Sequence, residues 1–145
     1  MKKGKVFLVL LMCLCCFLAS FSLTAFAGND NIPYSFTMKA NMGRSYTSSE
    51  YRETTRTNNP WKVNMTYNEE GSGTAAIYFL AGSNIITRPQ YSDAYIVVQG
   101  TGAHYYPAYA EASQKNVALG VKNNNDVAKS YTVSGYWDEE TGGTI

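Results

Sequence analysis

Residues 61–81 read WKVNMTYNEEGSGTAAIYFLA, and the fold class is decided there. Trp61, Val63, Met65 and Tyr67 alternate with Lys62, Asn64 and Thr66, the two-residue period of a strand with one buried face. Asn68 to Gly73 is a turn by composition, and Thr74 to Ala81 follows as a nearly continuous apolar strand. The pair reads as a hairpin with a longer loop. Upstream, Tyr34, Phe36 and Met38 alternate with Ser35, Thr37 and Lys39 before a turn at Asn41-Met42-Gly43. Residues 44–60 are rich in Thr and Tyr, which favour extended backbone, but neither alternate face is apolar. That combination predicts an exposed edge strand or a long ordered loop.

Downstream, Gly82-Ser83-Asn84 and Arg88-Pro89-Gln90 break the chain before a strand at Tyr95–Val98, which Gly100-Thr101-Gly102 closes. Tyr105 to Tyr109, interrupted by Pro107, is expected to be short or at an edge. Pro107 to Ser113 has room for one helical turn. Asn116 to Val121 places Val117, Leu119 and Val121 on one face, and Asn123 to Asp126 is a strong turn cluster. The last strand, Tyr131 to Trp137, puts Tyr131, Val133, Gly135 and Trp137 on one face, and the acidic tail Asp138 to Gly143 is expected to be mobile. No segment carries a helical stripe and no repeat is present. Short strands separated by turns predict one all-β domain over residues 28–145, a single antiparallel β-sandwich of about seven to eight strands.

Residues 1–27 are read separately. Lys2, Lys3 and Lys5 precede an apolar run that ends in Thr24-Ala25-Phe26-Ala27, the pattern of a secretory signal peptide cut after Ala27, with Gly28 as the new N-terminus. An uncleaved anchor is the competing reading, because the uncharged run is long enough to span a bilayer. Cys13, Cys15 and Cys16 all fall in the leader, so residues 28–145 have neither disulfides nor thiolate ligands to draw on. Losing three lysines turns the formal charge from +1 to −2. A near-neutral domain carries no electrostatic footprint for nucleic acid. A secreted location, extracellular or at the cell envelope, and no membrane contact after cleavage are the expectations.

Four stretches resemble small secreted proteins of Gram-positive bacteria that carry a domain of unknown function. They are Tyr34-Ser35-Phe36, Asn59-Pro60-Trp61-Lys62-Val63, Gly102-Ala103-His104-Tyr105-Tyr106 and Tyr131-Thr132-Val133-Ser134-Gly135-Tyr136-Trp137-Asp138. The likeness covers essentially all of the chain after the leader. It implies secretion and a compact β domain, and it brings no catalytic residues with it.

His104 is the only histidine, which excludes multi-histidine zinc sites. A Ser-His-Asp arrangement using His104 and Asp93 lacks the Gly-x-Ser-x-Gly elbow, and a histidine beside an aromatic cluster is the plainer reading. Glu50, Glu53, Asp93 and Glu111 are the carboxylates on or near strands that a glycosidase-type pair would use. Glu69-Glu70 and Asp138-Glu139-Glu140 are read as solvated charge in a turn and a tail. Asn29-Asp30-Asn31 and Asn123 to Asp126 offer oxygen ligands without EF-hand spacing, and turn formation accounts for both. Asn64-Met65-Thr66 matches a glycosylation sequon, but it lies within a strand and is read as coincidence. No catalytic residue, metal or cofactor is expected.

Tyrosine is the feature left over: all twelve follow the leader. Tyr46, Tyr51, Tyr91, Tyr105, Tyr106 and Tyr109 fall in polar or turn-rich segments. Exposed tyrosine offers rigid apolar area with a hydrogen-bonding tip, which suits recognition. Against this, tyrosine is also simply a good strand former that tolerates half-exposure. His104, Tyr105, Tyr106 and Tyr109 form the candidate binding group. The leading expectation is a non-enzymatic secreted β-sandwich that binds a cell-wall glycan or a secreted or surface protein. A bacteriocin-like antagonistic effector and a small carboxylate-dependent envelope hydrolase are the alternatives.

Overall fold

Alternation of buried and exposed side chains lays out eight strands. They are β1 (Ile32–Met38), β2 (Arg44–Arg52), β3 (Trp61–Asn68), β4 (Ala75–Gly82), β5 (Tyr95–Val98), β6 (His104–Tyr106), β7 (Lys115–Asn123) and β8 (Tyr131–Asp138). The computed structural model describes residues 28–56, 58–126, 128–143 and 145. The expected leader, with Ala25, Ala27 and the three cysteines, lies outside the described residues; Gly28 is exposed. One 3-10 turn, Ala110–Ala112, occupies the segment with room for a helical turn.

Two four-stranded sheets form, ordered β1-β8-β3-β6 and β2-β7-β4-β5, with every neighbouring pair antiparallel. They pack face to face as a β-sandwich. Trp61, Val63 and Met65 of β3 and Tyr34, Phe36 and Met38 of β1 meet Tyr78 and Leu80 of β4 and Val117, Leu119 and Val121 of β7 across the core. Two tyrosine hydroxyls inside this core are satisfied by each other and by one carbonyl. Tyr34 and Tyr78 hydrogen-bond at 3.0 Å, and the Asn64 carbonyl lies 3.3 Å from the Tyr34 hydroxyl, which donates to it. Burial raises the pKa of both phenols, so both stay protonated.

The hairpin expected over residues 61–81 does not form. β3 and β4 belong to different sheets, so Glu69 to Thr74 steps between layers instead of joining neighbours. Gly71 and Gly73, at φ of 110° and 79°, give that step its backbone freedom. The apolar pattern of two strands specifies that each has a buried face. It does not say whether those faces lie side by side or look at each other.

Parity also changes within β3. A bulge between Met65 and Tyr67 shifts the register against β8, turning Tyr67 to the solvent face and Asn68 inward. Tyr67, expected beside Trp61, Val63 and Met65, is 48% exposed, and Asn68 is buried. Residues 44–52 form an edge strand, as one of the two readings expected. Two of its polar side chains have partners: Ser45 donates to the Thr37 carbonyl at 3.1 Å, and Thr47 accepts from the Leu119 amide at 3.0 Å.

Gly135 faces β3 where the bulge begins. A Cβ there would lie 1.9 Å from the Asn64 carbonyl oxygen and 2.9 Å from the Tyr34 hydroxyl. Backbone in the middle of a sheet does not yield easily, so Gly135→Ala is expected to cost about 3 kcal/mol or more. Urea unfolding of the purified variant measures this, and an unchanged midpoint would show that the two strands part without strain.

Candidate functional site

β6 ends the first sheet and β5 the second, at the edges opposite β1 and β2, and the stacked rings of Tyr95 and Tyr106 bring these two edges together. Strand alternation on β6 sends His104 and Tyr106 inward and Tyr105 outward. Tyr106 stacks on Tyr95 with centroids 3.9 Å apart, and Trp61 lies 5.3 Å from Tyr106 and 6.1 Å from Tyr95. The His104 ring is nearly parallel to Tyr106 at 6.1 Å, and its Nε2 is 2.7 Å from the Thr101 hydroxyl. The Trp61 indole donates to the Pro107 carbonyl at 3.2 Å. These rings close the edge of the sandwich as a half-buried wall.

Tyr109 follows outside that wall. Its hydroxyl donates to the Asp93 carboxylate at 2.6 Å and its amide to the Tyr91 carbonyl at 2.7 Å, which holds a 41% exposed ring in place. The Asp93 hydrogen bond keeps the phenol protonated by raising its pKa. The four candidate residues therefore take three situations: His104 and Tyr106 in the wall, Tyr109 beside it, and Tyr105 on the outer face of the first sheet.

At the end of the sandwich where β2 and β8 finish, the structure overturns the expectation of a mobile acidic tail. Arg52 is buried, and its guanidinium donates to the carbonyls of Asn59 and Glu139. The Glu140 carboxylate accepts the amides of Glu53 and Thr54, each at 2.8 Å, and the Asn59 side-chain amide at 3.4 Å. Asn59 Oδ1 in turn accepts the amides of Thr141 and Gly142 at 3.2 and 3.0 Å. Asp138 and Glu140 are buried because these backbone amides and side-chain cations replace water around them.

Nearby, Lys62 is buried and pairs with Asp138 at 3.7 Å. Its ammonium also donates to Asn29 Oδ1, to the Asp30 carbonyl at 2.9 Å and to Asn31 Oδ1 at 3.1 Å. The oxygen-rich run at residues 29–31 thus surrounds a cation, and that cation is the protein's own lysine. Asn123 accepts from the Asn125 amide and the Tyr131 hydroxyl, both at 2.8 Å, in keeping with turn formation. Among the described residues no three His, Cys, Asp or Glu side chains group as a metal site, and no helix is long and apolar enough to cross a membrane.

The carboxylates singled out for hydrolysis lie on different elements, with Asp93 and Glu111 both acting on the Tyr109 hydroxyl. Glu50 is on β2, Glu53 just beyond it, Asp93 is bonded to Tyr109, and Glu111 is in the 3-10 turn. An open pocket of about 190 Å³ lies at the end of β4 and the start of β7, lined by residues that include Asn84, Tyr91 and Lys115. None of the four carboxylates lines it. The carboxyls that do hold protons unusually well are in the segment read as solvated tail. Burial pushes Asp138 up to about 6 and Glu139 up to about 7, with Asp138, Glu140 and Glu50 adding to the effect on Glu139. Alternating hydrophobicity carries no signal for such residues, because their surroundings come from distant segments: Lys62 is 76 positions from Asp138, and Arg52 is 87 from Glu139.

An antiparallel β-sandwich with a buried ionic clasp at one end and an aromatic wall along its open edge is the class of protein these features define. The chain belongs to a family described as proteins of unknown function (DUF2712), which matches over residues 23–141. No curated protein and no solved structure matches it.

Two outcomes follow from the clasp. Arg52→Ala leaves Glu140 buried without its cation and is expected to cost about 3 kcal/mol in urea unfolding. An effect below about 0.5 kcal/mol would mean that the backbone amides alone hold the tail. Asp138 and Glu139 bind protons more tightly folded than unfolded. Their contribution is full at acidic pH and is lost as pH rises through 6 to 7. The melting temperature should therefore fall between pH 5 and pH 8, with a shallower slope in Glu139→Gln; a melting temperature that rises across that range contradicts the assignment.

Proposed function

We propose that this protein is a secreted, non-enzymatic binding protein that acts at a bacterial cell envelope or in its surroundings. A cell-wall glycan or an exposed protein is the kind of partner it meets. The leader-like first 27 residues and the likeness to small secreted Gram-positive proteins support the location. The observation that carries the activity is the presentation of tyrosine rings on fixed backbone. Tyr105 is 47% exposed in the middle of β6, and Tyr109 is 41% exposed with its hydroxyl anchored on Asp93. Rings held in this way lose little entropy on contact with a ligand.

Antagonism toward competing cells has one observation in its favour. Ile85 and Ile86 are 78% and 89% exposed at the tip of the β4–β5 loop. Asn84 accepts the amides of Ile86 and Thr87, and Arg88 lies over the Tyr46 ring at 4.1 Å, so the pair is presented by an ordered turn. Growth inhibition of related bacteria that disappears in an Ile85→Ser, Ile86→Ser double variant would favour that reading over passive binding.

The leading reading is tested by co-sedimentation of the purified protein with isolated Gram-positive cell walls and, separately, with membranes. Saturable retention on walls is expected. Tyr105→Ala should weaken it roughly twofold to tenfold, the equivalent of ~0.5–1.5 kcal/mol for one aromatic contact, with the melting temperature unchanged. Absence of retention on either fraction removes the envelope from the proposal.

A further inference from the structure

Tyr105 does not stand alone on the outer face of the first sheet. The register sets Tyr105 of β6 opposite Lys62, Tyr136 of β8 opposite Asn64, and Tyr67 of β3 opposite Ser134. All three rings are on the solvent side, 47%, 44% and 48% exposed. Strand spacing and rise place Tyr105 and Tyr136 roughly 12 Å apart and Tyr136 and Tyr67 roughly 8 Å apart at the backbone. Asn64 lies inside the triangle they form, and Ser134 and Ser35, paired across β8 and β1, continue the face.

We propose that this tyrosine face binds a neutral polysaccharide chain laid across the strands, a proposal that rests on the binding-protein reading above. Three features select that ligand. The strands of this face present no free cation: Lys62 is buried and paired with the buried Asp138, and the exposed charges at its border are carboxylates, Asp30 beside Lys62 and Glu69 on the Thr132 amide. A phosphate or a uronic acid finds no counter-ion there. The face also offers no large aliphatic side chain. Among the described residues the exposed ones are Met42, Ile85, Ile86, Ile96 and Ile145, in loops, the second sheet or the terminus. What remains is aromatic rings beside hydroxyls and an amide. A sugar ring is complementary to that set, with a C–H face for the aromatic ring and hydroxyls for the polar groups. The span of the three rings exceeds a single sugar ring, so the ligand is a chain.

The third feature is the β3 bulge. Regular alternation would bury Tyr67 and expose Asn68, the more stable arrangement for both side chains. The bulge does the reverse, and leaves Asn68 Nδ2 buried without a protein partner. It is also a built feature: Gly100 donates its amide to the Met65 carbonyl at 3.1 Å, and the Gln99 side chain donates to the Thr66 carbonyl at 3.3 Å. A bulge that gives up stability to re-aim one ring onto a face with two others points to use of that face.

The test is isothermal titration of the purified protein with soluble neutral glucans and mannans, with their monosaccharides and with an anionic polysaccharide as comparisons. Affinity for at least one neutral polymer is expected, at least tenfold above that for its monosaccharide. Tyr67→Ala and Tyr136→Ala should each weaken it fivefold or more. Tyr51→Ala, an exposed tyrosine on the second sheet, should leave it unchanged. A readout without mutation is the shift of the Tyr67, Tyr105 and Tyr136 ring signals in NMR spectra on adding the polymer, which serves if an alanine variant unfolds. Loss of binding on Tyr109→Ala with Tyr67→Ala unaffected would move the site to the open edge and overturn this inference while the binding function stands. Preference for the anionic polymer, or retention on cell walls without affinity for any neutral polymer, also overturns it and leaves the wider reading intact. Failure to bind walls and polysaccharides alike removes both.

Discussion

Arg52 is the last residue of an edge strand, and it points into the protein. Its guanidinium donates to the carbonyls of Asn59 and Glu139, and it offsets the charge of Glu140. Through those contacts the end of β2, the connection to β3 and the residues after β8 become a single unit. A β-sandwich without disulfides has only side chains to hold its two sheets in register at their ends. Here that role falls to an ionic clasp at the end where β2 and β8 finish, beyond the apolar core of Trp61, Trp137 and their neighbours. Lys62 and Asp138 perform the same service for the N-terminal residues, which wrap the outer face and cover the pair.

With the ends fixed, the two open surfaces take different characters. The second sheet covers the middle of its outer face, where the Phe79 ring lies over Gly120, a Cβ there coming within 2.4 Å of it, and Tyr46 and Arg44 pack on the same ring; Tyr51 and Ile96 stay exposed on its two edge strands. The first sheet leaves Tyr67, Tyr105 and Tyr136 uncovered among hydroxyls and an amide. The edge between them is shut by the Tyr95–Tyr106 stack over Trp61. Closing the edge removes two rings from the surface available for recognition, and the uncovered face supplies three others. Strand parity and edge closure, and not tyrosine content alone, set which rings are available for contact.

Much of that placement was legible in the order of residues. Local alternation located the strands, because the two-residue period of a half-buried strand is a property of a few consecutive side chains. Residues 44–60 lacked that alternation, so β propensity left an edge strand and a long ordered loop both open, and the structure has the strand over Arg44–Arg52. The clasp was not legible: Glu140 reads as solvated charge until Glu53, Thr54 and Asn59 are brought to it. The candidate group His104, Tyr105, Tyr106 and Tyr109 was contiguous in sequence, yet alternation on β6 splits Tyr105 from its neighbours, and Tyr67 and Tyr136 join it from strands about 40 and 30 residues away.

The sequence by itself determined the fold class and the residues of the core, since burial of alternate apolar side chains is written at short range. Only the tertiary structure decided which strands are neighbours, which way Tyr67 faces and which acidic residues are buried. Those depend on pairing between distant segments. One extra residue in one strand inverts the parity of everything after it, and a charge is worth burying only where a partner from elsewhere in the chain arrives to meet it.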